Sequence, residues 1–226
     1  LADWLNVNLG TSDRTSQTVS MMIGQRIIPS LLLTGTGIIG AMIIGIPLGV
    51  VSACKPNSIW DHISTFVAFI GASVPNFFLS LLLIYVLAVK MKVFPTSGMY
   101  SAGTGGDWKD LLYHLALPAF VCGIQPIGNY IKQTKSSVLE VLNEEYIKTA
   151  RSKGLRNVVI VIKHAFRNSL IPIVTTLSLS VPFLIGGAVV TEQIFAWPVI
   201  GSLMITAITS RDYPVIMGVA VLICVV

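Results

Sequence analysis

An all-α, polytopic transmembrane helical bundle is the fold class this sequence predicts, and two observations predict it. Hydrophobic residues make up 54% of the 226 positions and charged residues only 11%, with a mean hydropathy of +0.80. A soluble domain of that size has too little polar surface to cover such a core. The apolar residues also fall in uncharged stretches, at 27–54, 63–89, 115–131, 168–191 and 213–226. About 20 such residues cross a bilayer as a helix. We therefore expect five spans within a single transmembrane domain, 1–226.

The first stretch, 27–54, is long enough to span and carries glycine pairs at Gly35 and Gly40 and at Gly45 and Gly49, spacings suited to close helix packing. The second, 63–89, holds Gly71, Ala72 and Ser73 ahead of Pro75 and Asn76. The third, LALPAFVCGIQPIGNYI, is short and interrupted by Pro118 and Pro126, whose freed backbone groups neighbouring protein can satisfy. The fourth, 168–191, contains Pro182, Gly186 and Gly187, a hinge or a tight crossing. The fifth reads as a last helix cut short.

Amides in lipid are costly, so Asn76, Gln125 and Asn129 should face protein or a wet cavity. With Ser73 they are candidates for a substrate pathway; interhelical hydrogen bonding is the plainer role for the same residues. The three cysteines, Cys54, Cys122 and Cys224, are scattered along apolar stretches and read as packing residues. His62, His114 and His164 lie near span boundaries without metal-ligand spacing, and read as interfacial.

Absences narrow the mechanism. The centres of the expected spans carry no Asp, Glu, Lys, Arg or His, which disfavours a proton-coupled carrier. No GxxxxGK[ST] loop is present to cradle ATP, and no TVGYG-like filter suggests a channel. No nucleic acid is needed to explain the net charge of +5. Its distribution fits the positive-inside rule: with 55–62 and 132–167 placed in the cytoplasm, the inside loops hold nine basic and four acidic residues. The outside segments 1–26, 90–113 and 192–212 then hold six of each.

The most informative stretch is 144–172, EEYIKTARSKGLRNVVIVIKHAFRNSLIP. Glu144 and Glu145 open it behind a cap at Asn143, Lys148, Arg151 and Lys153 crowd its later turns, and Gly154 follows as a stop. That is the charge order a helix dipole favours, with glycine free to take the left-handed terminal conformation. Ten residues make a helix of about 15 Å, a surface ridge rather than a span. Such a loop either docks a soluble partner or holds topology and attracts anionic lipid.

Thr149, Ala150, Gly154, Ile171 and Pro172 fill the places of the cytoplasmic "EAA" loop, so the segment resembles that of ABC importer permeases. EYIKTARSKG followed by KHAFRNSLIP looks like the dipeptide, oligopeptide and nickel subfamily, and the long interval from Gly154 to Pro172 matches that subgroup. The resemblance implies that Glu144, Glu145, Tyr146, Thr149, Ala150, Arg151, Lys153 and Gly154 dock an ATPase subunit. In that reading Glu145 makes polar contacts, Ala150 permits close approach, Gly154 turns the chain out, and the Ile171–Pro172 pair opens the next membrane helix. The chain is then a transport subunit and no enzyme, holding no cofactor itself, with ATP and magnesium on its partners. Those partners are a homologous second permease, two ATP-binding cassette subunits and an extracytoplasmic substrate-binding protein, in a prokaryotic inner membrane and in contact with its lipids.

The opening segment, with LGTS at Leu9 to Ser12, resembles the external stretch after a first membrane helix, so a six-span parent is expected. EQIFAWPVIG resembles the family's external re-entrant element. Trp108, Leu111 and Leu112 form an amphipathic face, and Trp108 and Trp197 either contact the delivery protein or anchor at the bilayer interface. Peptide is the expected cargo, nickel or a metal chelate the alternative. A membrane scaffold without transport is the reading from another class.

Overall fold

The computed structural model describes residues 9–101, 103, 106–180 and 189–225. Its elements, in order, are α1 (Val19–Cys54), α2 (Ile59–Ser73), α3 (Asn76–Lys90), α4 (Trp108–Leu142), α5 (Glu145–Ser152), α6 (Asn157–Leu179), α7 (Val189–Ile194), α8 (Ile200–Ser210) and α9 (Tyr213–Val225). The described residues contain no strand, only an isolated bridge between Thr11 and Thr18. Helices α1, α4 and α6, of 36, 35 and 23 residues, are long and apolar enough to cross a membrane, and α2 with α3 passes the same test as a broken pair.

Among the described residues, each expected apolar stretch falls largely on helix, with different bounds; 181–188, with Pro182, lie outside the described residues. The stretch 63–89 is broken at Val74 and Pro75, where Val74 is extended (φ −87°, ψ 118°). A residue before proline is pushed out of the helical region, so the expected single span is two helices. Pro118 and Pro126 break nothing: α4 runs through both, because a lost hydrogen bond in a long helix leaves the flanking ladder intact. Helix α6 starts well before the expected residue 168, and Pro172 lies in its interior rather than at its opening. Ahead of that proline the helix widens into π-helical turns over Ile160–Phe166, and the end of α3, Ile84–Lys90, does the same. Such turns are a recognised accommodation of local irregularity. Gly186 and Gly187 lie outside the described residues.

The chain packs as two compact units, residues 1–37, 75–122 and 181–226 in one and 38–74 and 123–180 in the other. The first has a core of Leu33, Leu115, Leu117, Val121, Phe195, Trp197 and Val199, and a second cluster of Val19, Ile23, Ile200, Leu203, Val215 and Val219. No side chain of its own caps α8. Ser30 of α1 does so instead, its hydroxyl accepting from the Ile200 amide at 2.9 Å. Asp212, at the corner between α8 and α9, accepts from the Ser12 hydroxyl and the Asp13 amide, pinning the LGTS turn.

Two sequence readings change in this unit. Trp197 is 1% exposed, so it is neither an interface anchor nor a contact surface; Trp108, at 63%, remains free for either role. His114 is buried rather than interfacial. Its ring nitrogens lie 2.9 Å from the Gly98 carbonyl and 3.1 Å from the Ser101 hydroxyl, which fastens the loop before α4 onto that helix. Trp108, Leu111 and Leu112 start α4 itself instead of a separate surface helix.

The second unit is built on backbone contact. A Cβ on Gly45 would lie 2.9 Å from the Tyr130 Cβ, and one on Gly49 would lie 2.6 Å from that of Thr134. A Cβ on Gly71 would strike the Ile124 carbonyl oxygen, and one on Gly128 would meet the Ala68 carbonyl oxygen at 2.9 Å. Small residues thus let α1, α2 and α4 approach closely, the packing mode that works where lipid removes the hydrophobic drive. Gly35 and Gly40, the other expected pair, have nothing within 4 Å and do not pack.

Candidate functional site

Helix α5 begins one residue later than the charge pattern suggested. Glu144 is its extended N-cap (φ −68°, ψ 148°), with no side-chain capping bond, and its carbonyl accepts from the Ile147 and Lys148 amides at 3.0 and 3.3 Å. Asn143 therefore does not cap. The exit follows expectation: Gly154 takes φ +76°, and its amide donates to the Arg151 carbonyl at 2.9 Å. A Cβ there would meet nothing within 4 Å, so the position demands glycine for its conformation and not for space.

The two faces of α5 separate cleanly. Ile147 is fully buried and Ala150 is 8% exposed, both packed with Ile160 over Val141 and Leu142. Glu144, Glu145, Tyr146, Lys148, Thr149, Arg151, Lys153 and Gly154 are exposed. Ala150 is the correction among the expected docking residues, since its small side chain serves close packing within its own unit. Glu145 and Lys148 pair at 2.7 Å on the exposed face, worth only about 0.3–0.5 kcal/mol. Asn168 of α6 donates to the Tyr146 hydroxyl at 2.8 Å and holds that ring over the junction.

The candidate pathway residues divide. Ser73, Gln125 and Asn129 belong to the second unit and are exposed, whereas Asn76 belongs to the first and is half-buried at the start of α3. Gln125 and Asn129 continue into Lys132, Ser136 and Glu140, all exposed, at spacings of three and four residues. Residues so spaced share one helix face. Helix α4 thus carries a polar stripe four turns long, of which sequence reading found only the upper amides.

A charged cluster escaped sequence reading altogether. Asp61, at the start of α2, is 7% exposed and accepts from the Ser52 hydroxyl, from the Lys135 ammonium at 2.5 Å and from the Asn57 amide at 2.9 Å. It ties α1, the short 55–58 turn and α4 together. Its residue type and place suggested only a loop charge; nothing in the sequence points to a lysine 74 positions away. Asp61→Asn and Lys135→Met are each expected to lower the unfolding temperature of the detergent-solubilised protein, and the double variant to lower it by less than the sum. Strictly additive shifts would show that the pair is not coupled.

Long apolar helices, a glycine-packed unit and a short polar helix exposed beside them define a helical membrane protein with an exposed polar element. The chain belongs to the family of binding-protein-dependent transport system inner membrane components, whose pattern matches residues 45–226. It is 42% identical over 223 residues to the oligopeptide transport system permease protein AppB of Bacillus subtilis, covering 98% of this chain and 71% of that protein. It is 37% identical over 232 residues to the dipeptide transport system permease protein DppB of Escherichia coli, covering 93% and 68%. Its fold matches a chain of the MetNI methionine ABC transporter, solved in inward-facing conformations, with a TM-score of 0.64 at 17% identity over 91% of each chain. It is a multi-pass membrane protein.

Proposed function

We propose that this chain is one permease subunit of an ATP-driven importer of di- or oligopeptides in a prokaryotic inner membrane. The observation that carries the reading is α5: eight residues whose apolar face is buried in its own unit and whose charged face is entirely exposed, ended by a left-handed glycine. A helix held on one side and bare on the other is built to be pushed. Glu144, Glu145, Tyr146, Thr149, Arg151, Lys153 and Gly154 form the surface offered to an ATPase subunit, and Ala150 supports it from behind. Closure of the ATPase on nucleotide then biases the membrane helices between two arrangements.

The pathway is shared with a homologous second permease, and a substrate-binding protein delivers cargo from outside. Ser73, Gln125 and Asn129, exposed on the second unit, line it, with the stripe on α4 offering hydrogen bonds to a peptide backbone. ATP and magnesium bind the two cassette subunits. The names of the relatives support peptide as the cargo.

Affinity purification of the full-length protein from its native membranes in mild detergent tests this. Recovery of a second permease and of cassette subunits is expected, with ATPase activity raised by a peptide-loaded binding protein. Stimulation by a nickel-loaded binding protein and not by peptide would change the cargo. Recovery of the protein alone, from membranes where other complexes survive, would leave a scaffold.

A further inference from the structure

Between α3 and α4 the chain crosses residues 93–101 without helix or strand, and side chains from the first turns of α4 hold it in place. The Tyr113 hydroxyl donates to the Val93 carbonyl at 2.7 Å, and the Tyr113 ring stacks on Phe94 at 5.8 Å. Asp110 accepts from the Ser101 amide at 2.6 Å and from the Ser101 hydroxyl at 2.8 Å. Gly98 reaches both ways: its amide donates to the Phe195 carbonyl at 2.8 Å, and its carbonyl faces His114 Nδ1 at 2.9 Å. The stretch is thus a strap from the start of α4 to the corner ahead of α8, where Phe195 and Trp197 lie buried.

The hydrogens around His114 decide how firmly that strap is held. A carbonyl only accepts, so Nδ1 carries a hydrogen toward Gly98. Nε2 lies 3.1 Å from the Ser101 hydroxyl oxygen, and that hydroxyl has a single hydrogen to give. When His114 is neutral, Nε2 and the Asp110 carboxylate compete for it. When the ring is an imidazolium, Nε2 donates to the Ser101 oxygen, the hydroxyl donates to Asp110, and all of these contacts are made together. Asp110 Oδ1, 3.6 Å from Nε2, supplies the opposite charge. Among the described residues Asp110 is the charged group facing the ring, and Tyr113, the other titratable neighbour, meets it edge-on at 6.2 Å. The strap itself brings the Ser101 hydroxyl and the Gly98 backbone against the ring, and Phe195 is reached through that backbone.

We infer that residues 93–101 form a proton-sensitive strap, in which protonated His114 tightens the hold of α4 on the corner before α8 and the neutral ring loosens it. The distribution of basic residues puts the strap on the external face. Histidine changes charge between about pH 5 and 8, so the acidity outside the cell, and not that of the cytoplasm, sets the strap. The inference goes beyond the proposed function and needs neither its cargo nor its ATPase partners.

The test uses the full-length protein in right-side-out membrane vesicles, with Cys54, Cys122 and Cys224 replaced by alanine. Met99, half-buried against the core that holds Phe195 and Trp197, reports release of the strap, and the exposed Ser97 is the reference. Met99→Cys and Ser97→Cys are labelled separately with a membrane-impermeant maleimide, and the ratio of the two rates cancels the thiol's own dependence on pH. That ratio should fall about fivefold between about pH 8 and about pH 5.5, the scale of one charge-assisted hydrogen bond gained. Adding His114→Asn, which keeps a donor for the Gly98 carbonyl but has no second nitrogen to protonate, should flatten the dependence. Ser101→Ala should flatten it too, and as a change at an exposed position it decides the matter if the asparagine variant fails to fold. A ratio that stays constant or rises in acid overturns the inference, and so does a fall that persists undiminished in either variant. Labelling of position 97 only in inverted vesicles overturns it as well, because the strap would then face the cytoplasm.

Discussion

Changing Gly71 to alanine should lower the stability of the purified protein by about 1–3 kcal/mol, the usual cost of overpacking, and leucine should prevent folding. The added Cβ would strike the Ile124 carbonyl oxygen, with the Ile124 carbonyl carbon at 3.3 Å and the Gln125 Cα at 3.7 Å. All three atoms belong to the α4 backbone, which cannot swing aside as a side chain does. The matched control is Gly35→Ala. Its Cβ enters open space, so the higher helix propensity of alanine leaves stability unchanged or raises it by up to about 1 kcal/mol. Thermal unfolding in mild detergent, read by the fraction remaining monodisperse, separates the two. Equal effects at both positions would mean that α2 and α4 do not approach as closely as described.

The second large effect is functional. Gly154→Val should leave membrane insertion and cassette binding measurable but separate ATP hydrolysis from peptide uptake. A β-branched residue held at φ +76° costs about 1–2 kcal/mol, or about 5–30-fold in any equilibrium that requires the exit turn. Gly154→Asn should retain far more uptake, because asparagine tolerates the left-handed region. The measurement is peptide uptake per ATP hydrolysed in proteoliposomes. Coupling that is normal in the valine variant would count strongly against α5 as the transmitting element.

Much of this architecture was legible because lipid makes the sequence signal simple. Uncharged stretches had to be helix, and the Gly45 and Gly49 pair did mark a packing face. The turn at Gly154 was readable from composition and charge order alone. What was hidden depended on three-dimensional partners. Pro75, Pro118, Pro126 and Pro172 look alike in sequence, yet only the first breaks a helix, since the outcome depends on how the surrounding turns adjust. Trp197 sits in an aromatic-proline segment of the kind found at bilayer surfaces, but Phe195, Val199 and Leu33 enclose it. Ala150 matched its expected motif position and nevertheless turned inward, because Ile147 three residues earlier sets the buried face of α5.

The glycine contacts of the second unit also determine how it responds to force. Side chains between helices act as a compliant layer, able to change rotamer and absorb a small displacement. Where Gly45, Gly49, Gly71 and Gly128 bring backbone against neighbouring helix, that layer is missing and the stiffness is that of the peptide chain itself. Through Ile147 and Ala150, α5 bears on Val141 and Leu142, at the end of the same α4 that carries the polar stripe from Gln125 to Glu140. In the proposed coupling, a displacement of the short helix crosses one side-chain layer at Val141 and Leu142, and beyond it α4 meets α1 and α2 through backbone, as a beam and not as a cushion.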